Sequence, residues 1–478
     1  MFRRSGAVLA LTLVLSATGA SQASEPGSLT AVQSSLGRHP DSVYPSVGHP
    51  GVDVLRYDLS LRWRPSVRTL AGVARLRLRT AQDGRFRLDL ARRLRVGRVD
   101  VRDPATGSML RSTYTHPGRY LNVSAPGIAA ERTYLVTIGY RGRPGPTKAP
   151  TGRGDMHGIG WYATRSGQVW TMQEPYGAFT WYPANDHPSD KATYAVRLDV
   201  PRPWVGVSNG RMTSRRVTHG RTVTRFTNRD PMASYLMTVA VGPYRRYTQT
   251  GPHGLPMTYW VPRHRPRYVK ALRSTPSALR WLERRLGPYP FDRVGVVVVP
   301  TGSAMETQTM ITMGAENYRY GRRLVRQTMV HELAHAWYGD TVTPDDWSDV
   351  WMNEGMATYV EASYSAARRW QSWASWKRQF VQDDALWRRL YGPPGAYRPS
   401  QFAQVNIYYS TARMLLRLRD KFGAAKFDAL MRRWPQEHRN SVQDRTSYVD
   451  WLADNSGQDR TALRAWFDHW LLSRTPPR

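Results

Sequence analysis

The stretch His331-Glu332-Leu333-Ala334-His335 sets two histidines four positions apart, with a glutamate beside the first. In an α-helix, residues i and i+4 lie one above the other on the same face. The two imidazoles then point at one spot, at a spacing that suits two Zn–N bonds of ~2.0–2.1 Å. Glu332 lies beside them, close enough to hold a water on such an ion without being a ligand. Leu333, Ala334, Ala336 and Trp337 are apolar, so this helix is expected to be buried, and its polar side chains need partners there.

A catalytic zinc requires a third protein ligand and one position left open. Glu354, in the run Trp351-Met352-Asn353-Glu354-Gly355-Met356-Ala357, stands 19 positions after His335. That span lets one helix end, a loop turn and a second helix return alongside, with Gly339 and Pro344 supplying the break. HELAHAWYGD followed by WSDVWMNEGMATYVE at this spacing resembles the aminopeptidase N family of zinc metallopeptidases, gluzincins whose third ligand is a glutamate. The resemblance implies one zinc ion per chain on His331, His335 and Glu354, with Glu332 as general base. It also implies removal of amino-terminal residues from peptides with a free amino terminus.

Three further segments resemble the same family. In 173–201, QEPYGAFTWYPANDHPSDKATYAVRLDVP, the position of Glu174 is one the family uses to hold the substrate's α-amine, and a carboxylate suits an ammonium. The segment 302–308, GSAMETQ, is similar to the family's G-A-M-E-N edge strand, whose backbone pairs with the substrate and whose glutamate binds its amino terminus. It keeps Ala304, Met305 and Glu306 and departs at both ends. Glu316, in the similar Gly314-Ala315-Glu316-Asn317, is read as a solvated loop residue, because Glu306 directly follows an apolar run and leaves room for a loop before the histidine helix. The segment 405–416 resembles Y-x-K-G-x-x-V/L-L, whose tyrosine hydroxyl faces the oxyanion. Register assigns Tyr409, with Tyr408 the neighbouring alternative and Thr411-Ala412 in place of Lys-Gly. Glu361, two turns after Glu354 on the same face, is a candidate outer acceptor for a zinc-bound imidazole N–H.

The first half alternates with period two: Tyr57, Leu59, Leu61 and Trp63 interleave with polar residues, as do Ala74, Leu76, Leu78 and then Phe86, Leu88, Leu90. Such alternation marks half-buried strands. With further runs at 134–140, 194–200 and 235–241, it predicts an all-β sandwich-like domain over 51–245. A helix is expected over 268–286, and the unbroken apolar run 294–299 reads as a strand covered on both faces. Helix, GPYPF and strand in succession resemble the start of a thermolysin-like α/β catalytic domain, assigned to 246–478, with short amphipathic helices at 427–434, 448–455 and 463–472. The fold class is therefore multidomain α+β. The chain stops at Arg478 without the long helical carboxy-terminal domain of many family members, which implies a more open cleft.

Residues 1–23 read as a secretory signal peptide, with Arg3 and Arg4 before a short apolar stretch and small residues near Ala20 and Ala23. Residues 24–50 read as a flexible Ser/Pro/Gly-rich lead. No segment offers the ~18 uninterrupted apolar residues of a spanning helix, and the absence of cysteine excludes disulfides and a lipoprotein anchor. A secreted protein is expected, free or associated with the cell wall. All but six of the 69 basic residues are arginine, giving a net charge of +33. They are spread through every region rather than gathered in a stripe, which argues against a specific nucleic-acid partner and leaves non-specific adsorption to anionic surfaces. Two other readings remain: a zinc-binding homologue without activity, suggested by the altered S-A-M-E-T and Y-S-T-A segments, and an endopeptidase.

Overall fold

The computed structural model describes Leu36 and residues 38–477; the expected signal peptide and the lead up to residue 35 lie outside the described residues. Strands in the first half follow the alternation. In Val52–Arg64, Tyr57, Leu59, Leu61 and Trp63 are buried while Arg62 and Arg64 are exposed. This strand pairs antiparallel with Thr69–Thr80 and parallel with Lys191–Pro201, at the centre of an eight-stranded sheet. A four-stranded sheet (Gly160–Ala163, Val169–Met172, Val205–Ser208, Val239–Gly242) and a three-stranded one (Arg85–Asp89, Thr113–Thr115, Tyr120–Ser124) add their apolar side chains to the same core. The run 235–241 is only partly strand. Ser234–Leu236 is a 3₁₀ turn, from which the Tyr235 hydroxyl donates to the Gly339 carbonyl at 3.2 Å.

The boundary expected after residue 245 falls inside the strand Tyr244–Thr250. That strand pairs with Pro256–Pro262, which leads on to Val294–Val299 and Ile311–Gly314 in the sheet of the second half. Val294–Val299 is wholly buried, and its faces serve two cores: Val297 and Val299 pack with the β-rich part, Val296 and Val298 with the helices. The helix expected over 268–286 is two, Val269–Leu272 and Thr275–Leu286. Pro276 opens the second, where its missing N–H leaves no bond unmade. No helix among the described residues is long and apolar enough to cross a membrane.

Residues 38–50, expected as part of a flexible lead, form an ordered strap. Asp41 is buried and accepts from the backbone N–H groups of Val43 (3.0 Å), Tyr44 (2.6 Å) and Trp347 (2.7 Å). Ser42 donates through backbone and hydroxyl to Asp346, and Arg38 pairs with Asp345. A Ser/Pro/Gly-rich stretch looks unstructured by itself, yet here its polar groups are satisfied across the chain.

Two long helices carry the histidines and Glu354: Gly321–Ala334 and Trp351–Ala367. A third, Thr411–Phe422, crosses the second at Gly355, where an added Cβ would lie 2.1 Å from Thr411 Cγ2. Only glycine allows this approach, and Glu354 is the adjacent residue. Gly355→Ala is expected to cost about 1–3 kcal/mol through overpacking, read as a lowered denaturation midpoint in guanidinium chloride at unchanged slope.

Candidate functional site

Helix periodicity does what the sequence spacing requires. His331, on the last turn of Gly321–Ala334, and His335, at its C-cap, hold their ring centroids 4.9 Å apart. Glu354 enters from the first turn of the facing helix, and its Oε2 lies 3.1 Å from His331 Nε2 and 3.5 Å from His335 Nε2. Each ring spends its other nitrogen elsewhere. His331 Nδ1 is 3.0 Å from Glu361 Oε2, and His335 Nδ1 is 3.1 Å from the Tyr338 carbonyl oxygen. Gln327 Nε2 donates to the second Glu361 oxygen at 2.7 Å and fixes that carboxylate. With both Nδ1–H groups so engaged, two Nε2 lone pairs and a carboxylate oxygen converge, a donor set that fits a divalent cation of the zinc type.

The site is buried and crowded with carboxylates. Although burial alone would raise it, His335 and His331 hold the Glu354 carboxyl below its ordinary range. Burial pushes Glu332 up to about 8, with the two histidines pulling against it. Burial also raises Glu306, His335 opposing and Glu354 adding to the effect. Glu174 is raised well above the carboxylate range by burial and by the charges of Glu306 and Glu354. One oxygen each of Glu174 and Glu306 is buried without a hydrogen-bond partner among the described residues. Oxygens of Glu306 and Glu332 come within 4.8 Å of each other and of a His335 nitrogen. Met305 forms a two-residue antiparallel bridge with Thr312 (both N···O 2.9 Å), placing Ala304 and Met305 on the rim. Glu174, Ala304, Met305, Glu306, His331, Glu332, His335, Glu354 and Glu361 face one cleft of about 470 Å³. Glu316 is exposed and is not part of it.

The register that assigned Tyr409 fails. Tyr409 borders the cleft, but its ring is wedged against Phe380 and Trp387, at 5.4 and 5.5 Å between centroids. Tyr408 instead lies over His331, with centroids 6.0 Å apart and planes within 24°, and its hydroxyl accepts from Arg153 Nη1 at 3.1 Å. Burial and the Glu354 charge keep this phenol well above its usual pKa, so it remains protonated. Both tyrosines lie in Asn406–Ser410, a turn of π-helix running into Thr411–Phe422.

Two further groups escaped the sequence reading. Arg153 and Asp155 sit in the loop between Thr133–Gly142 and Gly160–Ala163 and line the cleft. Two glycines beside an Arg/Asp pair were the available signal, hidden in a chain this rich in arginine. Lys191, buried, donates to the carbonyls of Asp340 (2.9 Å) and Thr341 (3.0 Å), which form the turn that ends the histidine helix.

Residues 270–470 match the family model for the peptidase family M1 domain, and residues 54–236 that for the peptidase M1 N-terminal domain. Glutamyl aminopeptidase of Sus scrofa is 30% identical over 251 residues, 48% of this chain and 26% of that protein. Aminopeptidase 2, mitochondrial, of Saccharomyces cerevisiae is 27% identical over 320 residues, 62% of this chain and 33% of that protein. The chain thus spans about a quarter to a third of the length of these relatives. A crystal structure of an M1 zinc metallopeptidase mutant from Deinococcus radiodurans bound to a Tyr-Ser-Ala substrate superposes with a TM-score of 0.79 at 27% identity. That match covers 93% of this chain and 99% of the other. A crystal structure of M1 zinc metallopeptidase from the same organism gives 0.78 at 28%, covering 93% of this chain and 98% of the other.

The contact between His331 and Glu361 makes a testable claim. Glu361→Ala should weaken zinc binding by about 10–100-fold, measured by competition with a chromophoric chelator, with far-UV circular dichroism unchanged.

Proposed function

The chain belongs to peptidase family M1, and we propose that it is a zinc-dependent aminopeptidase that hydrolyses the first peptide bond of peptides with a free amino terminus. The observation that carries this reading is the pair of unpartnered, buried carboxylate oxygens of Glu306 and Glu174 in the cleft that also holds His331, His335 and Glu354. A buried acceptor left without a donor is costly, and a substrate ammonium supplies both charge and N–H groups.

His331, His335 and Glu354 would hold the zinc. When bound, zinc supplies a Lewis acid that favours charge on oxygen and lowers the pKa of water. Glu332 accepts a proton from the attacking water and returns it to the leaving amine. Burial lifts it to about 8 against the pull of the two histidines, so a cation held by His331, His335 and Glu354 would favour its ionised, proton-accepting form. The Tyr408 hydroxyl donates to the oxygen that develops negative charge as the carbonyl is attacked. Glu306 and Glu174 fix the amino terminus, with Ala304 and Met305 alongside as backbone. This sets the first peptide bond, rather than an internal one, against Glu332.

The reading extends to location. A signal-peptide-like Met1–Ala23 supports export. The diffuse arginine excess supports loose adsorption to anionic envelope polymers, which would appear as pelleting with cell walls that is reversed by salt.

Chelation should abolish hydrolysis of amino-acid amides and added zinc should restore it. Glu332→Gln should keep one zinc per chain while kcat falls by about 10²–10⁴-fold. Glu306→Ala should impair free-amine substrates and leave N-acetylated ones as poor as before. Equal cleavage of blocked and free peptides by the native protein would make it an endopeptidase. No hydrolysis by the zinc-loaded protein would make it a binding homologue.

A further inference from the structure

Arg153 is the one arginine or lysine among the described residues that line the cleft, and its guanidinium is held on three sides. Its Nε and Nη2 donate to the two oxygens of Asp155 at 3.0 and 2.7 Å. Its Nη1 is shared between the Ala403 carbonyl and the Tyr408 hydroxyl, both at 3.1 Å. The loop that carries it is pinned as well. Thr147 and Ile159 close its base through paired backbone bonds of 3.0 and 2.9 Å, Phe402 N–H donates to the Pro150 carbonyl at 2.9 Å, and Gln404 Nε2 donates to Thr151 Oγ1 at 3.2 Å.

We propose that Arg153 is a positioning residue for the hydrolysis: by donating to the Tyr408 hydroxyl it occupies that oxygen's acceptor side and turns its single proton toward the side of Glu354, where the carbonyl oxygen under attack would meet it. The argument is one of valence. A guanidinium has only N–H donors, while a phenol has one O–H and two lone pairs. At this contact the Tyr408 oxygen must therefore be the acceptor, and its proton turns away from Arg153 toward the Glu354 carboxylate that the hydroxyl also faces. The neighbouring positive charge also makes the hydroxyl a stronger donor. Asp155 engages the Nε–Nη2 edge of the guanidinium with both oxygens and neutralises it, so Arg153 is poorly placed to clamp a substrate carboxylate. The inference rests on Tyr408 as the oxyanion donor, and the test separates the two claims.

The experiment is a double-mutant cycle on the zinc-loaded protein with Arg153→Ala, Arg153→Lys, Tyr408→Phe and the combined Arg153→Ala/Tyr408→Phe variant. Zinc content and melting temperature are recorded for each, and kcat and KM are read on an amino-acid amide. In the native background Arg153→Ala should lower kcat by about 10–100-fold with KM changed less than about threefold. In the Tyr408→Phe background the same change should cost less than about threefold, because the interaction it serves is already gone. Arg153→Lys should recover part of the loss, since an ammonium donates to Tyr408 but cannot also hold Asp155 and Ala403 in one plane. If Tyr408→Phe turns over too slowly to measure, the affinity for a phosphinic dipeptide, whose tetrahedral oxygens mimic the attacked carbonyl, closes the cycle instead. An equal loss in both backgrounds would overturn the proposal and leave Arg153 as a loop tie only. A loss confined to KM would overturn it in favour of a carboxylate clamp. Native-like kcat in Tyr408→Phe would instead sink the reading of Tyr408 itself, and the proposal with it.

Discussion

Four carboxylates, Glu174, Glu306, Glu332 and Glu354, share one buried cleft with two imidazoles. Like charges withdrawn from water at such spacing are tolerated only with positive charge among them. The protein's own share is small: two histidines, whose protonation would compete with metal binding, and an arginine already neutralised by Asp155. The deficit is divided between two places, the Nε2 pair with Glu354 and the free oxygens of Glu306 and Glu174. A divalent ion suits the first and an ammonium the second, and a charge at one place leaves the repulsion at the other unrelieved.

The scaffold serves to keep these charges close despite their wish to separate. The two histidines come from one helix and Glu354 from its neighbour, a rigid pair of elements. Gly355 lets a third helix press against the second beside Glu354, and Lys191, from the β-rich half, fixes the turn below His335. Val294–Val299 shares its two faces between the cores, so the edge that presents Glu306 is held by the packing of both halves.

How much of this was legible in the sequence depended on how local the cause was. His331, Glu332, His335 and Glu354 could be read because i, i+4 geometry and a loop of ordinary length decide their meeting. The strand alternation around Tyr57–Trp63 was equally local. The choice between Tyr409 and its neighbour Tyr408 could not be made from the motif register, because Thr411-Ala412 stand where its Lys-Gly would anchor the alignment. Arg153 was missed because its meaning lies in Asp155, Ala403 and Tyr408 around it, while its residue type is the commonest basic side chain of the chain. The strap at 38–50 read as coil because its partners, Asp345, Asp346 and Trp347, are some 300 residues away.

That strap touches the connector between the helix bearing the histidines and the helix bearing Glu354. Asp346 receives two donors from Ser42 and one from Ser348, and Asp41 caps the Trp347 N–H. The amino end therefore acts as a clasp on the metal-binding pair of helices, although it supplies no ligand. Proteolytic removal of Asp41 and Ser42 would take from the connector the acceptor of the Trp347 N–H and both Ser42 donors to Asp346, and let the spacing between Glu354 and the histidines drift.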